Sequence, residues 1–377
     1  MRGVELLADQ TKNATRDYKP LSPTAWTLWD VVYGRRSYRK YVPAVLPAGS
    51  ATGLDEVIAL SSRVRGAPER CVKAFTEQSL VERIRVGLQK GALNKINFWV
   101  ARTSPSGFLL MEVPEEDLTI DRPKALPAAS LVMEDTVLWL AEKGLGSCWL
   151  GGVNQKELAT IAGARAGATV PIAIPFGTPS KKVTPASGST AGAVIARKRK
   201  QLPAVAFIES MDAPYEPPAD ISAEGFEASA VQDVGGLLEQ MGADAGAPGG
   251  PAPLPGLLVE ACFEAGRVAP SAGNSQPWSF IAVTEPERLE ELEKACAPGG
   301  WRAAIVVVAQ PSSWRSALAE RPFWMIDGPI ALSHISLMAA SAGRAVRVFV
   351  NGFDEGPVAD AIRAHQGNRV VGVAFMK

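Results

Sequence analysis

The sequence predicts an α+β protein of two related halves, each a central sheet flanked by helices. Three observations carry this. Apolar residues recur with helical spacing in some segments and as short continuous runs in others, and the two kinds alternate along the chain. The length, 377 residues, is too great for one typical domain and suits two. The second half can also be laid over the first. An offset of 208 places Ser62–Ala101 on Pro270–Ala309 without a gap. Ala74-Phe75-Thr76-Glu77 then falls on Ala282-Val283-Thr284-Glu285, and Asn97-Phe98-Trp99-Val100 on Ile305-Val306-Val307-Val308. An offset of 199 superposes Ala128–Gly144 on Asp327–Gly343 and Val170–Phe176 on Arg369–Phe375.

In chain order, residues 1–23 read as an irregular arm, 24–210 as the first half, 211–256 as a linker region and 257–377 as the second half. Thr24 caps a helix carrying Trp26, Trp29 and Val32-Tyr33, which runs into Arg35–Lys40. Prolines and glycines break Val42–Gly53 into a connection. Leu54–Val64 has helical spacing, Cys71–Thr76 is a short strand, and Leu80–Leu88 carries a helical stripe. Ile96–Ala101 is predicted as a buried strand. Ala128–Lys143 is an apolar helix stopped at Gly144, a natural C′ residue. Ser147–Leu150 follows as a strand, Lys156–Ala162 as a helix and Val170–Phe176 as a strand. Lys181–Ala196 is loop-like, and Arg197-Lys198-Arg199-Lys200 leads into an apolar run at Leu202–Ile208. A helix at Gly225–Met241 precedes Gly242–Pro255, an Ala-Gly-Pro linker. Leu257–Val268 is a helix that Pro277 keeps from continuing, and Trp278 onward is strand-like.

Composition narrows the function. Apolar residues make up 47%, enough for two cores, and 39 basic residues balance 39 acidic ones, so no bulk field favours nucleic acid or an anionic membrane. Cys71, Cys148, Cys262 and Cys296 are scattered without a Cys-x-x-Cys pair, and His334 and His365 are too few for most metal sites. Met1–Lys12 lacks the apolar run of a signal peptide, and no segment approaches the roughly 20 apolar residues of a membrane span. A cytoplasmic protein is the expectation.

Three motifs carry chemistry. In PSAGNSQPWSF, Pro270–Phe280, small residues let backbone approach a ligand, while Asn274 and Gln276 bring amide donors and acceptors. Gly34-Arg35-Arg36-Ser37-Tyr38-Arg39-Lys40 supplies forked donors suited to phosphate. Gly144–Gly152, GLGSCWLGG, is a glycine-rich strand. Together these resemble the flavin-contacting turn, the flavin-phosphate motif and the ring-lining strand of the nitroreductase superfamily. Over about Trp29–Lys377 the chain resembles its tandem, single-chain members, and the helix at Asp327–Ala340 is similar to their second-half helix.

The resemblance implies a nitroreductase-like fold in which the two related halves form an intrachain pseudo-dimer, with FMN at their junction. Arg35, Arg36, Ser37 and Arg39, with Arg197 and Arg199, would hold the phosphate and ring oxygens. Trp149, Leu150, Gly151 and Gly152 would border the ring, and Pro270, Ser271, Ala272 and Asn274 would close it from the second half. Each half retains what the other has lost. Gly66 stands where Asn274 would be and Arg63 where Ser271 would be, so one flavin site is expected and not two. A site completed within one chain makes a monomer the expectation. His334 reads as a satisfied core or interface histidine, and Cys148 as a small buried hydrophobe. No acid–base pair, nucleophile or Gly-x-Gly-x-x-Gly turn is present, so no side chain is assigned as catalytic. The flavin would perform the chemistry, with NAD(P)H as a transient reductant. The implied activity is oxidoreduction of a small nitroaromatic, quinone or similar electron-poor acceptor. A non-catalytic flavin-binding protein on the same fold is the alternative the sequence leaves open.

Overall fold

The structure is a computed structural model of the 377-residue chain, and it describes residues 6–8, 14–16, 28–90, 99–180, 199–216, 229–243, 256–296, 299–311 and 322–377. Two mixed α/β layers face each other. The first sheet has the order β3-β4-β6-β5, with β3 Val72–Phe75, β4 Gly107–Pro114, β5 Gly146–Ser147 and β6 Ala168–Gly177. The second has the order β10-β11-β9-β8-β7, with β7 Ala206–Ile208, β8 Trp278–Val283, β9 Ala303–Ala309, β10 Val346–Phe349 and β11 Arg369–Met376. Near the amino terminus, β1 Leu6–Ala8 and β2 Ala14–Arg16 pair antiparallel with each other. All other ladders are antiparallel except β7 on β8.

Helices fill the space between the sheets. α4, Ala125–Glu142, is buried from Ala125 to Leu140, and α9, Trp324–Ser341, is buried throughout. A helix apolar on every side must lie inside the molecule, and these two pack on each other at its centre. α2, Ser50–Arg65, lies beside α4, and α7, Gly256–Val268, lies beside α9. One apolar core runs through this layer from Leu109 and Ile172 of the first sheet to Ile305 and Val371 of the second. On the outer face of the first sheet, α3 Gln78–Gly87 and α5 Gln155–Ala162 cover a smaller core. α8 Pro286–Cys296 and α10 Glu355–Ala361 do the same for the second.

The two remaining helices are exchanged between halves. α1, Leu28–Gly34, packs on α7 and α9, and α6, Val234–Ala243, packs on α2. Reciprocal contacts of this kind are what a two-fold interface requires, here inside one chain. An outer ion-pair cluster also joins the halves. Arg369 binds Asp121 at 2.8 Å and Glu355 at 2.8 Å, and Arg122 reaches Glu355 at 3.0 Å.

Most predicted elements are present, within a few residues at each end. The exceptions are informative. The expected strand at Ile96–Ala101 is absent over its described part: Val100–Arg102 is a short 3-10 helix, and the strand lies later, at Gly107–Pro114. The ungapped offset of 208 therefore holds only from β3 and α3 to β8 and α8. Phe75 faces Phe108 across the first ladder and Val283 faces Ala304 across the second, an offset of 196. The first half carries additional residues between α3 and β4, and a short apolar run at 97–100 does not by itself separate strand from other buried chain. The Ser147–Leu150 strand reduces to Gly146–Ser147 plus an isolated bridge from Leu150 to Ala173. The helix expected at Gly225–Met241 is described over Val234–Ala243. Residues 206–208, within the stretch read as the first half, join the second sheet. Gly242 and Ala243, read as the start of the linker at Gly242–Pro255, close α6 instead; residues 244–255 lie outside the described residues, as do Thr24, the loop at 181–196 and Arg197. Among the described residues no helix is long and apolar enough to cross a membrane, and no cluster of three His, Cys, Asp or Glu residues could hold a metal ion.

Candidate functional site

The arginine motif follows α1 as extended chain and is fixed by the glycine-rich strand. Ser37 bridges Ser147 in parallel, and Tyr38 N–H donates to Ser147 O at 2.9 Å. A Cβ on Gly146 would stand 2.8 Å from the Tyr38 ring, so glycine there is what lets the two segments meet. Cys148 is buried beneath the motif; burial pushes its thiol up, against Arg39, Arg35 and a hydrogen bond with Ser37. Arg39 leans over the Trp99 ring at 6.0 Å. Arg35 turns inward and is 8% exposed. Its Nε has no hydrogen-bond partner, and Glu134 Oε1 lies 3.9 Å away. Burial pulls the Arg35 guanidinium below its ordinary value, with Glu134 opposing.

Glu134 is a joint between the halves. It is fully buried on α4 and accepts from Trp149 Nε1 at 2.9 Å. It also faces His334 Nε2, on α9, at 2.8 Å, while His334 Nδ1 meets Ala265 O of α7 at 3.1 Å. Its neighbour Asp135 takes two bonds from Arg65, at 2.8 and 2.9 Å, one from Ser61 and one from Ser333 on α9 at 2.6 Å. The 199-residue offset maps Glu134 to Ser333 and Asp135 to His334, so the two contacts are images of each other with different chemistry.

The second-half turn follows α7. Ser271 begins it in extended conformation, and Gly273, Asn274 and Gln276 have φ of 53°, 55° and 49°. Left-handed residues in so short a run are the kind of local strain that surrounding contacts must hold. Asp327 does so from α9, accepting Ala272 N–H at 2.9 Å, and Ser271 Oγ accepts Gln276 N–H at 2.9 Å. The first half's tail is stitched to the same turn: Lys200 N–H donates to Gln276 Oε1 at 2.7 Å and Lys200 Nζ to Gln276 O at 2.8 Å. One residue earlier, Arg199 Nη2 donates to Val268 O at 2.9 Å, two residues before Pro270.

Four guanidinium groups therefore gather between the halves. Arg199 is pulled down to about 9, by burial first and then by repulsion from Arg35, Arg267 and Arg36. Arg267 is bound to Glu264, and Arg36 Nη1 donates to Arg35 O at 3.0 Å. Arg199 Nη1 and Arg35 Nε are buried donors with no partner. Buried donors are rarely left so, and clustered cations repel, so the set suits a multiply charged anion with several acceptor oxygens. A flavin phosphate is such a group.

Sequence comparison gives the same direction. The family described as "Nitroreductase family" matches residues 250–332, and that described as "Putative TM nitroreductase" matches residues 121–226. Both parts of this chain are nitroreductase-like. A protein of Archaeoglobus fulgidus named "Putative NADH dehydrogenase/NAD(P)H nitroreductase" is 37% identical over 91 residues, 22% of this chain and 49% of that one. A protein of the same name from Methanothermobacter thermautotrophicus is 34% identical over 91 residues, 24% of this chain and 47% of its own. The chain thus spans about half the length of the curated relatives it matches. A solved Thermotoga maritima structure described as a putative nitroreductase is 15% identical, with TM-score 0.45 over 94% of this chain and 95% of that one. An FMN-dependent nitroreductase from Clostridium difficile is 16% identical, with TM-score 0.32 over 43% and 92%.

In this nitroreductase-like chain the motif residues do not all turn the same way. Arg35, Arg36 and Arg199 converge beside α7. Trp149 is half-buried on Glu134, whereas Leu150 is spent on structure: its N–H donates to Ala173 O at 2.9 Å and its side chain packs in the outer core. A Cβ on Gly151 would stand 2.6 Å from Phe323 Cε1, so the second half reaches the glycine-rich strand there. Gly152 follows, half-buried. Sequence reading passed over Glu134, Arg267, Lys200 and Asp327. The acidic pair Glu134-Asp135 inside an apolar helix was the available signal, because buried carboxylates need partners.

Proposed function

We propose that this chain is an FMN-dependent oxidoreductase with one flavin site shared between its halves. Residues 24–210, apart from the β7 strand that crosses to the second sheet, form one unit and 257–377 the other, and a single chain completes the site. Arg35, Arg36 and Arg199, with Arg197, grip the phosphate. Ser37 and Arg39 continue that side. The strand Trp149-Leu150-Gly151-Gly152 borders the ring, through backbone alone at Leu150. Pro270, Ser271, Ala272 and Asn274 approach from the second half. When bound, the flavin supplies the electron transfer: NAD(P)H visits to reduce it, and a small electron-poor acceptor, a nitroaromatic or quinone, takes the electrons. The protein's own part is to bind, orient and shield.

The observation that carries this reading is Arg199. A cation from the first half's tail is half-buried against the end of α7, beside Arg35 and Arg36, with one buried donor unsatisfied among the described residues. Such an arrangement is costly without an anion and sensible with one. The NAD(P)H nitroreductase names of the two relatives, and the FMN in the name of the Clostridium difficile structure, agree with it. The test is an absorption spectrum of the purified chain before and after titration with FMN, followed by stopped-flow mixing with NADH and NADPH. One flavin per chain, bleached by either nicotinamide, is expected. Failure to take up FMN sinks the flavin site, and bound flavin that stays oxidised sinks the enzyme.

A further inference from the structure

We propose that the edge of the first sheet, at β3, is a strand-addition site for an extended apolar peptide segment followed by an acidic residue. The argument is independent of the flavin reading and comes from comparing the two sheets. In the second sheet β8 is not an edge, because β7 lies parallel to it: Phe280 N–H donates to Val205 O at 2.7 Å and Glu209 N–H to Ala282 O at 2.7 Å. The chain then continues across the end of α10, where Met211 N–H donates to Ile362 O at 2.9 Å. Glu209 completes the arrangement, its carboxylate accepting Thr284 N–H at 2.9 Å, Thr284 Oγ1 at 2.7 Å and Glu285 N–H at 3.2 Å, just before α8.

The first sheet has the groups that receive such a strand and, among the described residues, no such strand. The 208 offset maps Phe280 to Val72, Ala282 to Ala74 and Thr284-Glu285 to Thr76-Glu77. Among the described residues β3 pairs only with β4, and Glu112 N–H donates to Cys71 O, which fixes the alternation. The backbone groups of Val72 and Ala74 therefore point away from β4, like those of Phe280 and Ala282 that β7 satisfies. Thr76 has no hydrogen-bond partner among the described residues, and Glu77, before α3, makes no side-chain cap. Beside this edge is a cleft of about 400 Å³ whose lining is apolar at Ile58, Val72, Ala74, Phe75, Ala162 and Gly163 and charged at Asp55, Arg70 and Lys73. The 199 offset maps Gly163 to Ile362, so the cleft lies where residues 205–211 lie in the other half.

An occupant must match these groups. Its backbone runs parallel to β3, its side chains are small or apolar against Ile58, Ala74 and Phe75, and a carboxylate at its far end meets Thr76 and the Glu77 N–H, as Glu209 meets Thr284 and Glu285 in the other half. Main-chain bonds to a sheet edge supply affinity and alternate side chains supply selection, as in other strand-addition sites. The chain's own Val205-Ala206-Phe207-Ile208-Glu209 has this chemistry, and it is committed to β8.

The test uses the full chain and a fluorescein-labelled synthetic peptide with the sequence of Leu202–Met211, read by anisotropy and by amide hydrogen exchange. Saturable binding is expected, with slowed exchange at Val72 and Ala74. A peptide carrying E209A should bind roughly tenfold more weakly, the value of one charge-assisted group. Thr76→Val, which removes only the hydroxyl, should weaken binding while leaving the fold intact. Absent binding, or binding that leaves the β3 amides unprotected, overturns the proposal. So does slow exchange at Val72 and Ala74 in the free monomeric chain, which would mean that a segment of the chain already covers the edge. Protection that appears only with concentration-dependent dimers would assign the edge to a second copy and overturn it equally.

Discussion

Arg199→Met separates what the arginine cluster does for folding from what it does for binding. Methionine keeps the length and apolar stem and removes the charge. In the unliganded chain Arg199 is half-buried, its buried Nη1 has no partner among the described residues, and it faces Arg35, Arg36 and Arg267. Replacing a poorly compensated buried charge by an apolar residue of similar volume gains about 1–4 kcal/mol. The single bond to Val268 O, about 1 kcal/mol, is lost against that. The expected net is a stabilised chain, by about 1–2 kcal/mol in urea denaturation. FMN binding should move the other way. Losing charge-assisted bonds to a phosphate costs about 1.5–3 kcal/mol, or roughly a tenfold to hundredfold rise in Kd.

The pH dependence fixes the sign independently. Arg199 is depressed to about 9 in the folded chain, so between that pH and its ordinary value the unfolded chain binds more protons. Folding then grows more favourable as pH rises through that window, and below it the cost of the buried charge is fully present. The stability advantage of Arg199→Met should therefore be constant from pH 6 to 8 and shrink toward pH 10. A variant that is less stable than the parent at pH 7, or that keeps full FMN affinity, refutes the reasoning.

Glu134→Ala leaves His334 Nε2 and Trp149 Nε1 without their acceptor and Arg35 without its counter-charge, and should lower stability by about 3–5 kcal/mol in denaturant titration. Glu134→Gln, which keeps an acceptor, should cost visibly less. Arg369→Gln should destabilise the chain at pH 7. Asp121 is held below its ordinary value by its bond to Arg369. Burial raises Glu355, but its bonds to Arg369 and the Val370 N–H more than offset that. That contribution is present above the unfolded carboxylate range and is lost as pH falls through the folded values, so the variant and parent should converge in acid melts. Gly151→Ala puts a methyl 2.6 Å from Phe323 Cε1 and should cost about 1–3 kcal/mol, recovered in large part by adding Phe323→Leu. Asn274→Ala should weaken FMN binding in a fluorescence titration. Gly66→Ala, at φ 61°, should cost about 1 kcal/mol of stability and leave FMN affinity unchanged.

Much of the fold was legible because its signals are local. Helical stripes, continuous apolar strands and Gly144 at a helix end need no knowledge of the partner half. The duplication was legible for the same reason. What stayed hidden depends on contacts far along the chain. Leu202–Ile208 reads as an apolar strand, yet nothing in it says that it will cross to β8. The strand at 107–114 was passed over for a weaker run at 97–100, and only ladder register exposes the extra residues in the first half. At the site, the residue types of the three motifs were plain and their orientation was not. Leu150 lies within the glycine-rich strand and points into a core. Gln276 was visible as a polar side chain, but its work, tying Lys200 to the turn, appears only when residues 76 apart are brought together.

The central helices explain how a duplicated chain acquires one site in place of two. α4 and α9 meet across a pseudo-two-fold, so each contact has an image. In one image Glu134 joins His334 and faces Arg35; in the other Asp135 joins Ser333 and is closed by Arg65. Both carboxylates are fully buried, and each must be compensated or it would cost several kcal/mol. On the Asp135 side, compensation comes from Arg65, on the helix that leads to the first-half turn, which stands where Gly273 stands in the second half. A glycine there frees the turn to approach a ligand, whereas an arginine there turns inward and fills the space with a structural ion pair. On the Glu134 side the arginine is Arg35, at 3.9 Å and with Nε unbonded, so its charge is only partly spent inside the protein. The same need, a cation for a buried carboxylate, is thus met by closing one junction and by leaving the other with donors to spare. Removing that ion pair, with Arg65→Gly and Asp135→Ser together, should open the first-half turn without creating an anion site, because no arginine equivalent to Arg199 lies beside it among the described residues.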